Sequence, residues 1–271
     1  MRTFGVTIGK EQDYNEDAIK NSPELIAVSD GAGGGGIFAD KWSQYLLQNI
    51  PDSPFSSFEC MDKWLDSIWE EFYKQYEKEA QQLESIELLK FYDEGSFATL
   101  AAIWIKDDTG GDWMTYGDSA VFCYNIQTKE LKTSIENLTN FNNPPFLISC
   151  SEPLESTGFK SGVFKNIQGC ILFCASDALA HYILASYFAS YSKDKISMEE
   201  AISVKSKNSN YIKAILQYER LDFEKEVLHK LIRCSKNKAN FNKHMEKLQR
   251  DGKIAIDDYS ICFLIPDEYT I

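Results

Sequence analysis

The apolar positions of this chain fall into short runs that end at turn residues and into longer stretches with helical spacing. Short runs rich in β-branched and aromatic residues, bounded by Gly, Asp or Pro, are typical of β-strands. They lie at 2–9, 24–29, 97–105, 112–116, 120–126, 169–175 and 260–265. Helical patterns occupy 38–49, 57–90 and most of 179–249. Residues 137–161 show neither pattern, so we expect a long loop there.

The order of these elements predicts antiparallel sheets. In the stretch 57–90, Trp64, Ile68, Phe72 and Tyr76 recur at every fourth residue, which predicts a long helix with a core-facing stripe. Strands, two helices, more strands, more helices and a final strand do not form the regular β-α-β alternation of a doubly wound sheet. We therefore expect an α+β protein in which antiparallel sheets pack together with helices on their outer faces.

Composition narrows the classes of function. The net charge of −13 argues against nucleic acid as a partner, because binding to phosphates depends on Lys and Arg. The apolar runs are far shorter than a membrane-spanning helix, which predicts no association with a membrane. The seven cysteines are irregularly spaced and fit reduced thiols, and residues 1–10 lack the apolar region of a secretion signal. We expect a cytoplasmic protein.

Acidic residues recur where apolar strands begin or end. They are Glu16, Asp17, Asp30, Asp118, Asp177, Asp257 and Asp258. Because strands are buried, their ends hold these side chains at the rim of a core, where a carboxylate needs a compensating cation. Few Lys or Arg residues lie nearby in the sequence to supply this positive charge. The pattern therefore predicts that divalent metal ions bind there. Hard oxygen ligands favour Mg²⁺ or Mn²⁺. Since the acids come from both halves of the chain, we expect one domain over 1–271.

Six short motifs containing these acids resemble, in their order, the metal-dependent protein phosphatases of the protein phosphatase 2C type. They are Asn15-Glu-Asp-Ala18, Val28-Ser-Asp-Gly-Ala-Gly-Gly34, Gly95-Ser-Phe-Ala-Thr99, Gly117-Asp-Ser119, Ala175-Ser-Asp-Ala178 and Asp257-Asp-Tyr-Ser260. Each alone is an ordinary turn sequence. The six in order span nearly the whole chain, and the Asp-Gly-Ala-Gly form resembles bacterial members of the family.

The resemblance implies both a fold and an activity. The fold would be a four-layer α-β-β-α sandwich of two antiparallel sheets flanked by helices, with 137–161 as a flap beside the active-site cleft. The activity would be hydrolysis of phosphomonoesters by a hydroxide that bridges two Mn²⁺ or Mg²⁺ ions. The substrate would be a phosphoprotein that carries phosphoserine or phosphothreonine.

The resemblance also implies roles for single residues. The metal ligands or close neighbours of the metals would be Glu16, Asp17, Asp30, Gly31, Asp118, Asp177 and Asp257. Among them, Asp30, Asp177 and Asp257 would be the catalytic acids. Asp30 would bridge the two ions, and Asp118 would help to hold a third ion more weakly.

One position departs from the family pattern in a way that affects substrate binding. Gln12 stands where the family usually has an Arg that grips the substrate phosphate, and a neutral amide cannot replace a bidentate guanidinium. Lys10 and Arg2 are the nearby cations in the sequence. The alternative interpretation is therefore a weakly active or inactive phosphatase-like binding module. In that interpretation the helical region 179–250 could dock a partner protein.

The glycine cluster offers a further alternative. Residues 31–36 satisfy the G-x-G-x-x-G pattern of dinucleotide-binding proteins, with Asp52 about twenty residues further on. However, Asp30 would face the pyrophosphate, and the predicted elements lack the repeated β-α-β units of that fold. The glycines fit better as positions where the backbone passes close to a metal site.

Overall fold

Twelve strands form the central layers within the part of the chain that the structure describes. The computed structural model describes residues 1–11, 14–34, 36–83, 85–107, 109–191, 195–203, 206–217 and 221–269. The strands are β1 Arg2–Ile8, β2 Ala18–Asn21, β3 Leu25–Ser29, β4 Phe97–Ala98, β5 Leu100–Asp107, β6 Gly110–Tyr116, β7 Ala120–Asn125, β8 Leu131–Thr133, β9 Ile148–Ser149, β10 Phe159–Lys165, β11 Cys170–Ala175 and β12 Tyr259–Ile265.

The strands form two five-stranded sheets and one small pair. The first sheet has the order β1-β12-β11-β7-β8 and the second has the order β10-β6-β5-β3-β2, while β4 pairs with β9. Every pair of neighbouring strands among the described residues is antiparallel. The described sheets therefore contain no parallel β-α-β unit, which removes the basis for a dinucleotide site at 31–36.

Helices cover the outer face of each sheet. They are α1 Ala39–Asn49, α2 Phe58–Ala80, α3 Ser85–Glu94, α4 Asp177–Tyr191, α5 Lys195–Ser203, α6 Lys207–Leu216, α7 His229–Cys234 and α8 Lys238–Arg250, with a π-helical turn at Phe223–Leu228 before α7. Short 3-10 turns lie at Leu138–Asn142 and Ser156–Gly158. No helix in the described ranges is both long and apolar enough to cross a membrane.

Three apolar clusters define the four layers. One lies between the sheets and includes Val28 and Leu264. A second joins the first sheet to α4, α6, α7 and α8, and a third joins the second sheet to α1 and α2. Along β12, Ile261 and Phe263 belong to the cluster beneath the helices, whereas Leu264 belongs to the cluster between the sheets. Strands covered on both faces carry apolar residues at every position, so they are continuous apolar runs in the sequence. The α+β sandwich expected from the sequence is confirmed.

The structure differs from the sequence prediction in two long segments. The predicted helix 57–90 is two helices, α2 and α3, because the apolar stripe ends at the buried Ala80 and the next apolar residue, Leu83, is 47% exposed. The predicted loop 137–161 ends early, since β10 begins at Phe159. Strand β10 lies at a sheet edge and buries only Phe164 fully, which gives a weak apolar pattern. The short strands β2 and β8 were also missed.

Candidate metal centre

The loops and strand ends at one side of the two sheets bring the predicted acids together. Asp30 follows β3, Asp118 lies in the turn between β6 and β7, Asp177 begins α4 directly after β11, and Asp257 precedes β12. Asp17 immediately precedes β2. The charges of Asp17, Asp118, Asp177 and Asp257 all act on Asp30, so the acids form one electrostatic cluster.

Asp17 is the most deeply buried acid of this cluster. It is 3% exposed, and neither of its carboxylate oxygens has a hydrogen-bond partner. Burial raises the pKa of Asp17 to about 7; the nearby Ser260 hydroxyl partly opposes this shift, and the charge of Asp258 adds to it. Because burial outweighs the effect of the hydroxyl, this carboxylate still lacks the cation that a buried charge normally has.

Three further acids have raised pKa values. Burial, followed by repulsion from Asp17, raises the pKa of Asp30 well above its ordinary value. Burial and the charge of Asp118 do the same for Asp177. Burial raises the pKa of Asp118 to about 6, with a contribution from Asp257. Asp30 and Asp177 are surrounded by protein atoms but keep part of their surface open to solvent, as at the base of a cleft. The carboxylates of the cluster repel one another, so the cluster would bind cations.

Thr99 connects two of the motifs that contain these acids. Its hydroxyl accepts the Asp30 N–H at 3.3 Å, and its own N–H donates to the Asp30 carbonyl at 2.8 Å. The same hydroxyl bonds to Ser119 Oγ at 2.7 Å, beside Asp118. Gly117 has a φ of +99°, and a Cβ there would lie 2.7 Å from Thr99 Cγ2. The turn therefore needs glycine. Thr99 holds the backbone of Asp30 and contacts the residue next to Asp118.

Serine and threonine hydroxyls connect three other motifs. The Ser260 N–H donates to Ser176 Oγ at 3.0 Å, and Ser260 Oγ donates to Thr7 Oγ1 at 2.7 Å. Asn15 donates to the same Thr7 hydroxyl at 2.6 Å and accepts the Asp17 N–H at 3.1 Å. These contacts explain why small polar residues accompany the acids in the sequence.

Asp258 holds the segment that leads to Glu16. Its two carboxylate oxygens accept the N–H groups of Lys10 and Glu16, each at 2.7 Å. Asp258 is 3% exposed, so these two bonds satisfy a buried carboxylate. The sequence interpretation gave Asp258 no role. The signal that could have found it is the Asp257-Asp258 pair at the start of a fully buried strand.

The glycine loop passes directly over Glu16. A Cβ on Gly33 would lie 1.7 Å from Glu16 Oε1, and one on Gly31 would lie 2.5 Å from the Glu16 carbonyl oxygen. A Cβ on Gly34 would meet nothing within 4 Å. Two of these glycines are therefore needed for the close approach of the backbone to Glu16.

Lys10 is a cation that contacts the acid cluster. Its ammonium lies 3.2 Å from Glu16 Oε2 and 3.5 Å from Asp257 Oδ1. Partial burial lowers the pKa of Lys10, but Asp257, Asp258 and Glu16 outweigh this and raise it above the ordinary value. Arg2 instead donates to the carbonyls of residues 266 and 269 at the opposite end of β1. Gln12 lies outside the described residues.

The fit of these residues to a divalent ion rests on their chemistry. Within the described ranges, no three His, Cys, Asp or Glu side chains already stand as a complete metal-binding group. The donors are nonetheless all oxygens, as Mg²⁺ and Mn²⁺ prefer, and both Asp17 oxygens are buried without partners. The residues therefore fit a divalent ion. Their role as ligands stays a prediction.

A separate cavity of about 850 Å³ lies between the end of α4 and the π-helical turn. Its ionisable groups are already paired, since Lys129 forms an ion pair with Glu224 and His229 Nε2 bonds to the Tyr269 hydroxyl at 2.5 Å. The acid cluster is therefore the stronger candidate for chemistry.

Solved structures with a similar fold include bacterial serine/threonine phosphatases. The catalytic domain of PstP, in complex with two manganese ions, aligns with a TM-score of 0.52 at 16% identity, covering 97% of this chain and 96% of that chain. PppA, a regulatory component of T6SS in Pseudomonas aeruginosa, aligns at 0.50 and 15% identity, covering 97% and 96%. Stp1 from Staphylococcus aureus aligns at 0.50 and 13%, covering 98% and 94%.

The chain has the fold of the bacterial serine/threonine phosphatases. This finding confirms the resemblance drawn from the six motifs, together with the sandwich architecture that it implied. No family model matches the chain, and no curated protein matches it by sequence.

Proposed function

We propose that this chain is a metal-dependent phosphomonoester hydrolase that acts on phosphoserine and phosphothreonine in proteins, with 1–271 as one catalytic domain. The observation that carries the proposal is the buried, unpartnered carboxylate of Asp17 within a cluster of acids from both sheets. Burying an ionised carboxylate without a partner is costly, so the arrangement is best explained by a cation that binds there. The fold shared with PstP, whose structure holds two manganese ions, supports this interpretation.

The proposed metal ligands are those that the resemblance of the six motifs implies. Glu16, Asp30 and the Gly31 carbonyl would hold one Mn²⁺ or Mg²⁺ ion, and Asp30, Asp177 and Asp257 would hold the other. Asp118 would contribute to a third, weaker site. Asp17 would lie close behind these ligands, where the positive charge of the ions would compensate its buried carboxylate. Such ions stabilise charge on the phosphoryl oxygens and lower the pKa of bound water.

Other residues of the chain would position the metal ligands and the substrate phosphate. Thr99 fixes the backbone of Asp30, and Asp258 fixes the backbone of Glu16, so both ligands are held before an ion binds. Lys10 would supply the phosphate-binding cation that Gln12 does not provide, because its flexible stem lets the ammonium turn from Glu16 to a phosphate oxygen. Residues 137–161 would form a flap.

The position of that flap is supported by one contact. A Cβ on Gly117 would lie 2.8 Å from the Phe146 carbonyl oxygen, so the segment passes beside the turn that holds Asp118.

Hydrolysis of p-nitrophenyl phosphate by the purified chain tests the proposal. We expect activity with Mn²⁺ or Mg²⁺, no activity with chelator, and loss of activity in Asp30→Asn with the fold intact. Phosphoserine, phosphothreonine and phosphotyrosine peptides would then define the substrate class. Normal turnover in Asp30→Asn would refute the assignment of the site.

A phosphatase-like binding module is the second candidate, favoured by Gln12 and by the Lys10 ammonium among the acids. In that case the folded protein would be inactive with either metal, and Gln12→Arg would be the rescue variant to assay. Partner binding through 179–250 stays a prediction of this candidate.

A further inference from the structure

Helix α3 carries apolar side chains on the face that it turns to solvent. Leu83, Ile86, Leu89 and Tyr92 are 47%, 74%, 60% and 46% exposed, and they recur at every third residue. Such spacing places them in one oblique stripe along the helix and the turn before it. Scattered exposed apolar residues are normal, but four consecutive members of one stripe are not.

The opposite face of α3 already packs against the protein. Phe91 is fully buried and lies 4.8 Å from Tyr73 and 6.0 Å from Phe38, measured between ring centroids. The helix is therefore anchored through one face, and the outer stripe is not needed to hold it in place. A small rotation could not bury the stripe without removing Phe91 from the core.

The segment of the chain that contains the stripe is strongly acidic. Residues 58–94, which include α2 and α3, contain eleven Asp or Glu and four Lys or Arg. This segment accounts for more than half of the net charge of −13. A second copy of the chain, or a surface of anionic lipid, would bring like charge against this region and would be repelled.

We propose that the α3 stripe is a docking surface for a basic amphipathic helix of another protein. The stripe extends over ten residues, about 13 Å along a helix, which matches anchors on two to three turns of a partner helix. Apolar side chains of the partner would cover the stripe, and flanking Lys or Arg would face the acids of α2 and α3. This interaction is independent of the proposed hydrolase activity.

A designed peptide tests the docking surface directly. The probe is a fluorescein-labelled peptide of about 18 residues, roughly five turns, with Leu on one helical face and Lys on the other. Its binding is measured by fluorescence anisotropy at about 0.15 M salt, where long-range charge effects are largely screened. We expect micromolar affinity, and at least about tenfold weaker binding for a scrambled Leu/Lys sequence and for a Leu/Glu analogue.

Variants of the full chain locate the binding. Ile86→Ser with Leu89→Ser should weaken binding about tenfold or more, because both side chains are exposed and contribute only to the stripe. Val163→Ser, a matched loss of an apolar side chain 51% exposed on β10, should leave the affinity unchanged. Equal binding by wild type and the double variant, or by the designed and scrambled peptides, would overturn the proposal.

Sedimentation and vesicle binding test whether a second copy of the chain or a lipid surface occupies the α3 stripe instead. A dimer that dissociates in Ile86→Ser/Leu89→Ser would identify a second copy as the occupant and overturn the assignment. Binding to phosphatidylserine vesicles that the double variant loses would also overturn it. A monomer that does not bind these vesicles agrees with the proposal.

Discussion

Asp17→Asn offers a direct test of whether the acid cluster is built for a cation. The substitution keeps the shape of the side chain and removes a buried charge. Burial raises the pKa of Asp17 from 3.8 to about 7, so the folded protein keeps this proton over a pH range in which the unfolded chain has lost it. A group with a raised folded pKa lowers stability progressively as pH rises from its unfolded to its folded pKa.

The size of the effect follows from that shift. Each pH unit between about 4 and 7 lowers the free energy of unfolding by about 1.4 kcal/mol, which gives an upper limit of about 4 kcal/mol. Coupling to Asp30 and the new amide reduce the gain, so we expect about 2–4 kcal/mol of stabilisation at about pH 8 without metal. Near pH 2, well below both pKa values, the difference should disappear, since both folded and unfolded carboxyl groups are protonated there.

Urea unfolding, monitored by tryptophan fluorescence, measures the free energy of unfolding of the wild type and of Asp17→Asn, each in EDTA and in Mn²⁺. In Mn²⁺ the wild type should gain about 2.7 kcal/mol at a hundredfold excess over its Kd, and Asp17→Asn should gain less, so the difference closes or reverses. The control is Asp66→Asn, which removes an exposed carboxylate on α2. It should leave the free energy of unfolding unchanged in EDTA and in Mn²⁺. If Asp17→Asn is less stable than wild type in EDTA near pH 8, the carboxylate is not an uncompensated buried charge.

Three other substitutions probe the surroundings of the cluster. Gly33→Ala would place a Cβ 1.7 Å from Glu16 Oε1, so we expect Mn²⁺ affinity measured by calorimetry to fall about tenfold or more. Gly34→Ala, with no atom within 4 Å of the new Cβ, should bind Mn²⁺ as wild type does. Asp258→Ala leaves two N–H groups without their acceptor and should cost about 3 kcal/mol in urea unfolding. Lys10→Met should weaken inhibition by inorganic phosphate about tenfold, and Lys10→Arg should restore it.

Each of these expectations has an opposing result. Equal Mn²⁺ affinity in the two glycine variants would place Glu16 outside the metal site. Unchanged stability of Asp258→Ala would mean that water replaces the carboxylate. Phosphate inhibition that is insensitive to Lys10→Met would assign the ammonium to neutralising Glu16 alone.

The layers of the fold were predictable because the central strands are apolar at every position. Strands β11 and β12 are fully buried and appear in the sequence as unbroken apolar runs. By contrast, β2 and β10 lie at sheet edges and are half polar, so no strong period distinguishes them from loops. The end of α2 was missed because neither Gly nor Pro marks it. Only packing against the sheet decides where that helix stops.

Acids such as Asp30 and Asp177 were predictable because they adjoin recognisable strands, whereas Asp17 adjoins β2, which has no strong pattern. The contacts that organise them were not, since they join positions far apart in the sequence. Asp258 bonds to the N–H of Lys10 across 248 positions, and Ser260 bonds to Thr7 across 253. The sequence offers both Lys10 and Arg2 as nearby cations. Nothing local selects Lys10 as the one that reaches the acids, because its reach depends on the antiparallel pairing of β1 with β12.

That pairing bears on how the protein is made. Strand β12 lies in the interior of its sheet, between β1 and β11, with Arg2 opposite Ile265. Of the elements described, β12 is the last to leave the ribosome. Until then, β1 and β11 each present an open edge, and Asp257 and Asp258 are missing from the acid cluster. A nascent chain therefore has an incomplete acid cluster, and its unpaired strand edges are open to aggregation until the last strand inserts.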